Sequence, residues 1–393
     1  MTDSNNPHPA PAFGHALRSL WSLDPEVTFL NHGSFGATPI AVLAEQNEWR
    51  ARMERQPVHF MTRELPGALR RAADSLAAFL GTRGEQIGFV DNATSAVNAV
   101  LRWIDWHAGD EVVVCRQVYP GVRGAANAVA ERFGVRVKEA RFAIPIQGED
   151  AVLAAFDEAM NSSTRLVIVD HVSSPLAAVL PVARIVALCR QRGVPVLVDG
   201  AHAPGMLDLD LDELGADWYA GNCHKWLYAP KGSAFLWSAR HRLVQSHPAV
   251  ISMNWAKGFA AEFDWAGTRD PSPWLCVPAA IRFFESLGVA AARQYMIDSA
   301  RTATTFLEKE VGAGHLAPAA MFASMAALTL PRLGAGSAAR ATHLHDRLID
   351  RHGIEIPILL VDEMLCLRLS AQVYNDPGDF ARLVAALCAE GMK

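Results

Sequence analysis

Between residues 87 and 237 short apolar runs alternate with amphipathic segments, and no other feature of this 393-residue chain constrains its fold so tightly. The runs are IGFV (87–90), EVVVC (111–115), VRVKEARF (135–142), RLVIVD (165–170), VPVLVD (194–199), DWYAG (217–221) and SAFLW (233–237). Segments 121–133, 149–160 and 182–192 carry apolar residues at three- and four-residue spacing, the period of a helix with one buried face. Four of the runs are unbroken apolar stretches, as strands covered by helices on both faces require. The alternation predicts an α/β fold on a mostly parallel seven-stranded sheet. A ligand then sits beyond the carboxyl ends of the strands, so the residues just after each run are the ones to inspect.

Past residue 275 the pattern changes. Helical stretches 277–287 and 291–310 lead through the joint PRLGAGSAAR to the short strands AALTL, IPILL and MLCLRLS, and a last helix at 378–390 closes the chain. A smaller C-terminal α/β domain is expected at 276–393 and a large domain at 25–275, with residues 1–24 as a Pro-rich, polar arm. The arm lacks the basic start and apolar centre of a signal peptide. No apolar run approaches the ~20 residues that span a bilayer, so no membrane partner is expected. At 51% hydrophobic, 20% charged and a net charge of −5, the composition suits a large soluble core and gives no basic stripe for nucleic acid. The six cysteines include no CxxC pair; they read as reduced and the chain as cytoplasmic, with neither a zinc site nor a disulfide framework.

Three strand ends carry chemistry. After IGFV comes DNATSA, opening a helix whose free N–H groups, with the hydroxyls of Thr94 and Ser95, suit an anion such as phosphate; plain N-capping by Asn92 or Thr94 is the alternative. No GxGxxG or Walker lysine accompanies it, which argues against nucleotides. After VPVLV comes DGAHAPG. An acid at the end of a buried strand is costly unless a cation or donor meets it, although Asp199 could simply cap a helix. His202 lacks further ligands at metal-binding spacing, so no metal is expected. After DWYAG comes NCHKW, where Lys225 is either a surface loop lysine or an amine pointed into a site. A phosphate cradle, a strand-end acid and a strand-end lysine, in that order on one sheet, would hold pyridoxal phosphate: the lysine bonds the cofactor and the acid keeps its pyridine nitrogen protonated.

VDGAHAPG, GNCHKW and LRLSAQVYND, in that order, resemble the class V aminotransferase family of fold-type I pyridoxal-phosphate enzymes. FLNHGSFGATP and DWAGTRDPSPW are similar to the isopenicillin N epimerase group within it. The resemblance covers about residues 25 to 390. It implies that Lys225 carries the cofactor, that Asp199 partners the pyridine nitrogen and that His202 reaches the cofactor's phenolic oxygen. It puts Tyr119 where a ring stacks on the cofactor, with a core tyrosine as the alternative. Ala93, Thr94, Asn222 and His224 would surround the phosphate, a group with no other lysine expected near it. Thr268 would reach in from a second subunit of a homodimer with shared sites, unless its loop simply packs on its own domain. Arg368 would clamp the α-carboxylate of a small-molecule amino-acid substrate in two-pronged fashion, unless it is a solvated strand arginine.

Among reactions the resemblance favours epimerisation at the α-carbon, with carbon–sulfur lysis and transamination as alternatives and a non-enzymatic cofactor-binding protein disfavoured. Epimerisation needs a second proton donor or a mobile lysine; Tyr119 and His32 are the candidates, and Asn31 and His32 are expected near the substrate in their Gly-rich stretch. The loop RHGIEIPILLVDEML lacks the nucleophilic cysteine of the cysteine desulfurases, and Cys366 shares a strand face with Arg368.

Overall fold

The computed structural model describes residues 12–392; the first eleven residues of the expected arm lie outside the described residues. Every apolar run between 87 and 237 forms a strand: β1 (Ile87–Val90), β2 (Glu111–Cys115), β3 (Arg136–Ala140), β4 (Thr164–Asp170), β5 (Val196–Gly200), β6 (Trp218–Asn222) and β7 (Ala234–Ser238). They make one seven-stranded sheet in the order β1-β7-β6-β5-β4-β2-β3. Only β7 runs against its neighbours; every other pair is parallel. β1, β2, β5, β6 and β7 are buried along their whole length, the reason their sequences are continuous apolar runs. β3 is different. Its alternating Arg136, Val137, Lys138, Glu139 puts the cations out to solvent, and charge of this kind blunts the free edge where β3 lies.

Ten longer helices surround the sheets. α1 (Ile40–Arg55) and α2 (Leu65–Phe79) precede β1, and α3 (Ala93–Trp103), α4 (Pro120–Phe133), α5 (Glu149–Ala159) and α6 (Val182–Gln191) connect the strands. α3 buries Ala96, Val97, Val100 and Leu101, each large side chain of this kind contributing about 1.5–3 kcal/mol. Pro120 presets the first turn of α4, and Gly134 ends it with φ 70, a left-handed value that glycine adopts without strain. α7 (Val277–Ser286) and α8 (Val289–Val311) follow the large sheet, and α9 (Ala338–His352) and α10 (Pro377–Ala389) cover the small one.

The small sheet is antiparallel, ordered β10-β11-β9-β8, from β8 (Gly314–His315), β9 (Met325–Thr329), β10 (Ile358–Val361) and β11 (Met364–Ser370). A second apolar core gathers around it from Ala300 to Met392 and takes in Leu30 from the far end of the chain. The short strand Thr28–Phe29 pairs in parallel with Ile354–Glu355, so the stretch just before residue 31 is stitched to the C-terminal part. Among the described residues no single helix is long and apolar enough to cross a membrane.

Candidate active site

The carboxyl ends of β6, β5, β4 and β2 open onto a cavity of about 790 Å³. In that order they bring Lys225, Asp199, Asp170 and Tyr119 to its walls. A second cavity, of about 460 Å³, lies by Trp103, Trp218 and Arg242 and holds none of the expected groups.

Lys225 follows β6 in a tight turn. The N–H groups of Cys223 and His224 both donate to the Ser233 carbonyl, at 3.0 and 3.1 Å. Tyr228, fully buried, takes φ 64, uncommon for a residue with a side chain, and its hydroxyl donates to Gln372 Oε1 at 2.6 Å. Strain of this kind costs about 1–3 kcal/mol and persists only where the surroundings hold it. Gly36 explains the glycine in SFGATP: at φ 69 a Cβ would stand 2.0 Å from the His224 carbonyl oxygen, so only glycine lets the N-terminal stretch pass so close.

The Lys225 Nζ lies 3.2 Å from His202 Nε2. Burial, and then the positive charge of Arg368, draw its amine down to about 7, against which the Asp199 charge works only in part. Such an amine is largely neutral just above neutral pH and can act as nucleophile or base. Burial foremost, then the cations Lys225 and Arg368, hold His202 well below its usual range, so its ring is neutral. Asp199, 4% exposed, accepts the Ala201 N–H at 3.0 Å; burial pushes its carboxyl up while that N–H and Lys225 pull it down. Tyr119, 43% exposed, caps α4 with its ring beside Gly121 and Thr94.

On the cradle side, Asn92 caps α3 through Ser95 N–H at 2.9 Å, and Asn222 Oδ1 takes the Ala93 N–H at 2.8 Å. Asn222 and Ala93 thus pin the helix to the strand end, and Thr94 has the N–H left for an anion. His224 Nδ1 donates to the Ser233 carbonyl at 3.0 Å, and burial foremost lowers its ring to about 4. Lys231 and Arg269 also line the cavity, which corrects the expectation that no other lysine stands near the phosphate site. Thr268 is exposed and does not line the cavity of its own chain; next to it, Arg269 pairs with Asp91 at 2.7 Å.

Two expected contacts take other roles. His32 is fully buried, away from the cavity walls. Its Nε2 lies 3.0 Å from the Lys225 carbonyl, which can only accept, so Nδ1 accepts from the Tyr374 hydroxyl at 2.8 Å. With both nitrogens engaged and its ring lowered to about 3, chiefly by burial, His32 braces the lysine turn and has no proton to offer substrate. Asn31 is not on the walls either; it donates to Glu355 Oε1 at 2.7 Å and accepts from Ser34 Oγ at 2.5 Å. Ser34 in turn accepts from Arg368 Nη2 at 2.8 Å, while Arg368 Nη1 donates to Ser174 O and Oγ at 3.0 and 3.1 Å. Arg368 is 6% exposed, neither solvated nor on the wall itself; it stands behind Ser34 and Ser174, which do line the cavity. Burial lowers it to about 10, and its Nε has no partner.

Four wall groups were missed from sequence: Asp170, Ser34, Ser174 and Lys231. Asp170 had a signal, an acid closing a buried apolar strand just as Asp199 does. The serines had none.

Asp170 Oδ2, His202 Nδ1 and Arg368 Nε are buried without partners, beside a near-neutral amine and an open helix N-terminus. This donor set fits pyridoxal phosphate: Asp199 for the ring nitrogen, Lys225 for the carbonyl carbon, and Thr94 with the nearby cations for the phosphate.

Comparison with known proteins agrees. Residues 37–356 match the family model described as Aminotransferase class-V. Isopenicillin N epimerase of Amycolatopsis lactamdurans is 36% identical over 398 residues, covering 96% of this chain and 98% of that one. An Arabidopsis thaliana protein named "Probable L-cysteine desulfhydrase, chloroplastic" is 33% identical over 403 residues, 94% of this chain and 85% of that one. A solved structure of a C-DES variant, with glycine covalently linked to its pyridoxal-phosphate cofactor, superposes with a TM-score of 0.81 at 25% identity, covering 94% of this chain and 98% of that one.

Proposed function

Because the chain belongs to the class V aminotransferase family and so works with pyridoxal phosphate, we propose that it epimerises the α-carbon of an amino acid or a compound with an amino-acid end. What supports epimerisation is that two proton-bearing side chains, Lys225 and Tyr119, line one cavity from strand ends on opposite sides of Asp199. When bound, the cofactor supplies an electron sink that stabilises negative charge at the substrate α-carbon. Arg368, steadied by Ser34 and Ser174, holds the substrate carboxylate. The neutral Lys225 amine takes the α-proton, and His202 beside it keeps the amine in place. The Tyr119 phenol returns a proton from the other side, which inverts the centre. Asp199 would keep the ring nitrogen protonated, and Thr94 and the neighbouring cations would hold the phosphate.

The sequence similarity to the Arabidopsis desulfhydrase favours a second reading, elimination of a β-substituent, in which Lys225 and His202 handle the proton from one side only. Incubation with L-amino acids in heavy water separates the two. Deuterium at Cα with inversion supports epimerisation, pyruvate and ammonia with loss of the β-substituent support elimination, and an oxo acid that keeps the substrate's whole side chain overturns both. Tyr119→Phe keeps the ring and removes the phenolic proton, so Cα exchange without inversion is expected of it.

The same reading makes the enzyme a cytoplasmic homodimer in which the exposed Thr268 serves the phosphate of the neighbouring subunit. Mixing a Lys225→Ala chain with a Thr268→Asp chain, whose added charge repels the neighbouring subunit's phosphate, should then regain activity through one intact site per heterodimer. No recovery after verified subunit exchange would refute sharing.

A further inference from the structure

Asp170 is the last residue of β4 and Asp199 the last but one of β5, and the two are register partners on neighbouring parallel strands, which puts their side chains on one face. Both line the cavity. Asp170 is 2% exposed, the Tyr119 N–H faces its carboxyl, and its Oδ2 has no partner. The ionisable groups packed around the pair are the Cys115 thiol from β2, the Tyr219 phenol from β6, and Lys225 from the turn after β6. They are not shared evenly. The Lys225 amine and the Ala201 N–H act on Asp199, whereas Asp170 meets the charge of Asp199, and no cation.

Two carboxyls so close in a buried site do not both ionise; one keeps its proton. The charge settles where a cation meets it, on Asp199, and the proton stays on Asp170. Burial, followed by the charge of Asp199, pushes the Asp170 carboxyl well above the usual range, in agreement with that division.

We propose that Asp170 is a positioning residue that stays protonated in the working enzyme and donates its hydrogen to the Asp199 carboxylate, making Asp199 a weaker base. A weaker base leaves the shared proton on the pyridine nitrogen, where the electron sink needs it. The inference rests on the pyridoxal-phosphate reading and holds for epimerisation and elimination alike.

Two measurements on holoenzyme test it without relying on turnover. Infrared spectra at neutral pH should show the carbonyl stretch of a protonated carboxylic acid, shifted in heavy water and absent from Asp170→Asn. Absence of that band from the wild type, or its survival in Asp170→Asn, overturns the proposal. In enzyme reconstituted with ¹⁵N-labelled cofactor, the ring-nitrogen signal of Asp170→Asn should match the wild type, because the amide still donates. Asp170→Leu, which cannot donate, should move it toward unprotonated pyridine and weaken cofactor binding about tenfold, as the loss of one buried hydrogen bond does. An unmoved signal in cofactor-loaded Asp170→Leu overturns the donation. Should Asp170→Leu not fold, the wild-type infrared band and its loss in Asp170→Asn still decide whether the proton is there. Failure of the wild type to bind pyridoxal phosphate at all would instead overturn the parent reading.

Discussion

At the strand-end side of the cavity Asp170, Asp199 and His202 are 2%, 4% and 2% exposed, and Lys225 is drawn down to about 7. At the cradle side Lys231 and Thr268 are exposed, and the Asp91 and Arg269 side chains stand 51% and 34% open. The first region works by desolvation, which moves protons between groups and makes one residue's charge depend on its neighbour's. The second rests on buried Asn222 and His224 at its base, but its outer groups, the hydroxyl of Thr268 and the cations Lys231 and Arg269, work by number where solvent reaches, each worth little alone. Chemistry is concentrated in the dry region; the wet one can lose a contact and still hold its anion.

The sharpest way to break this contrast is Lys225→Ala. It should abolish α-proton exchange, at least about 10⁴-fold, while the cradle still binds cofactor weakly. Borohydride reduction of the wild type should fix cofactor to the peptide holding Lys225; an adduct on Lys231 would move the reactive amine to the wet side and undo the comparison. Arg368→Lys keeps the charge and loses the fork held by Ser34 and Ser174, and should raise KM for substrate about 10- to 100-fold with a smaller change in kcat.

Desolvation also leaves a mark on stability. The folded state holds Lys225 at about 7, below its ordinary 10.5, so between those values the unfolded chain binds more protons. Cofactor-free protein should therefore gain stability as pH rises from about 7 toward 10.5, by on the order of 1 kcal/mol per pH unit from this group. Denaturant melts of Lys225→Met should show that slope flattened; an unchanged slope would mean that burial does not tune this amine. The smallest effect belongs to the wet side. Lys231→Gln should weaken cofactor binding only about two- to fivefold, and less at high salt, as expected of a partly screened charge.

The contrast also governs what could be read from sequence. Lys225, Asp199 and His202 sit just after apolar runs that only a buried parallel sheet explains, so strand position announced them. The same rule held for Asp170, whose acid passed as the last letter of RLVIVD. His32 and Asn31 misled because a Gly-rich stretch shows that backbone comes close to something without saying what. Here it comes close to the lysine turn, and the side chains point to Tyr374 and Glu355. Ser34 and Ser174 were invisible because their function lies in an arginine more than 190 residues away in sequence, and no local pattern marks such a contact.

Leu30 completes a core whose other members begin at Ala300, and the strand at Thr28–Phe29 has its partner only at Ile354–Glu355. On the ribosome, the first stretch to emerge must therefore wait for nearly the last. The seven strands of the large sheet can assemble by 238, but Ser34 has no Arg368 and His32 no Tyr374 until synthesis is almost complete. Such long-range closure is slow and leaves apolar surface open meanwhile. A chain truncated before β11 would lack both Arg368 and the Tyr374 that seats His32 against the Lys225 carbonyl, so the lysine turn and the arginine beside the cavity are completed together, at the end of synthesis.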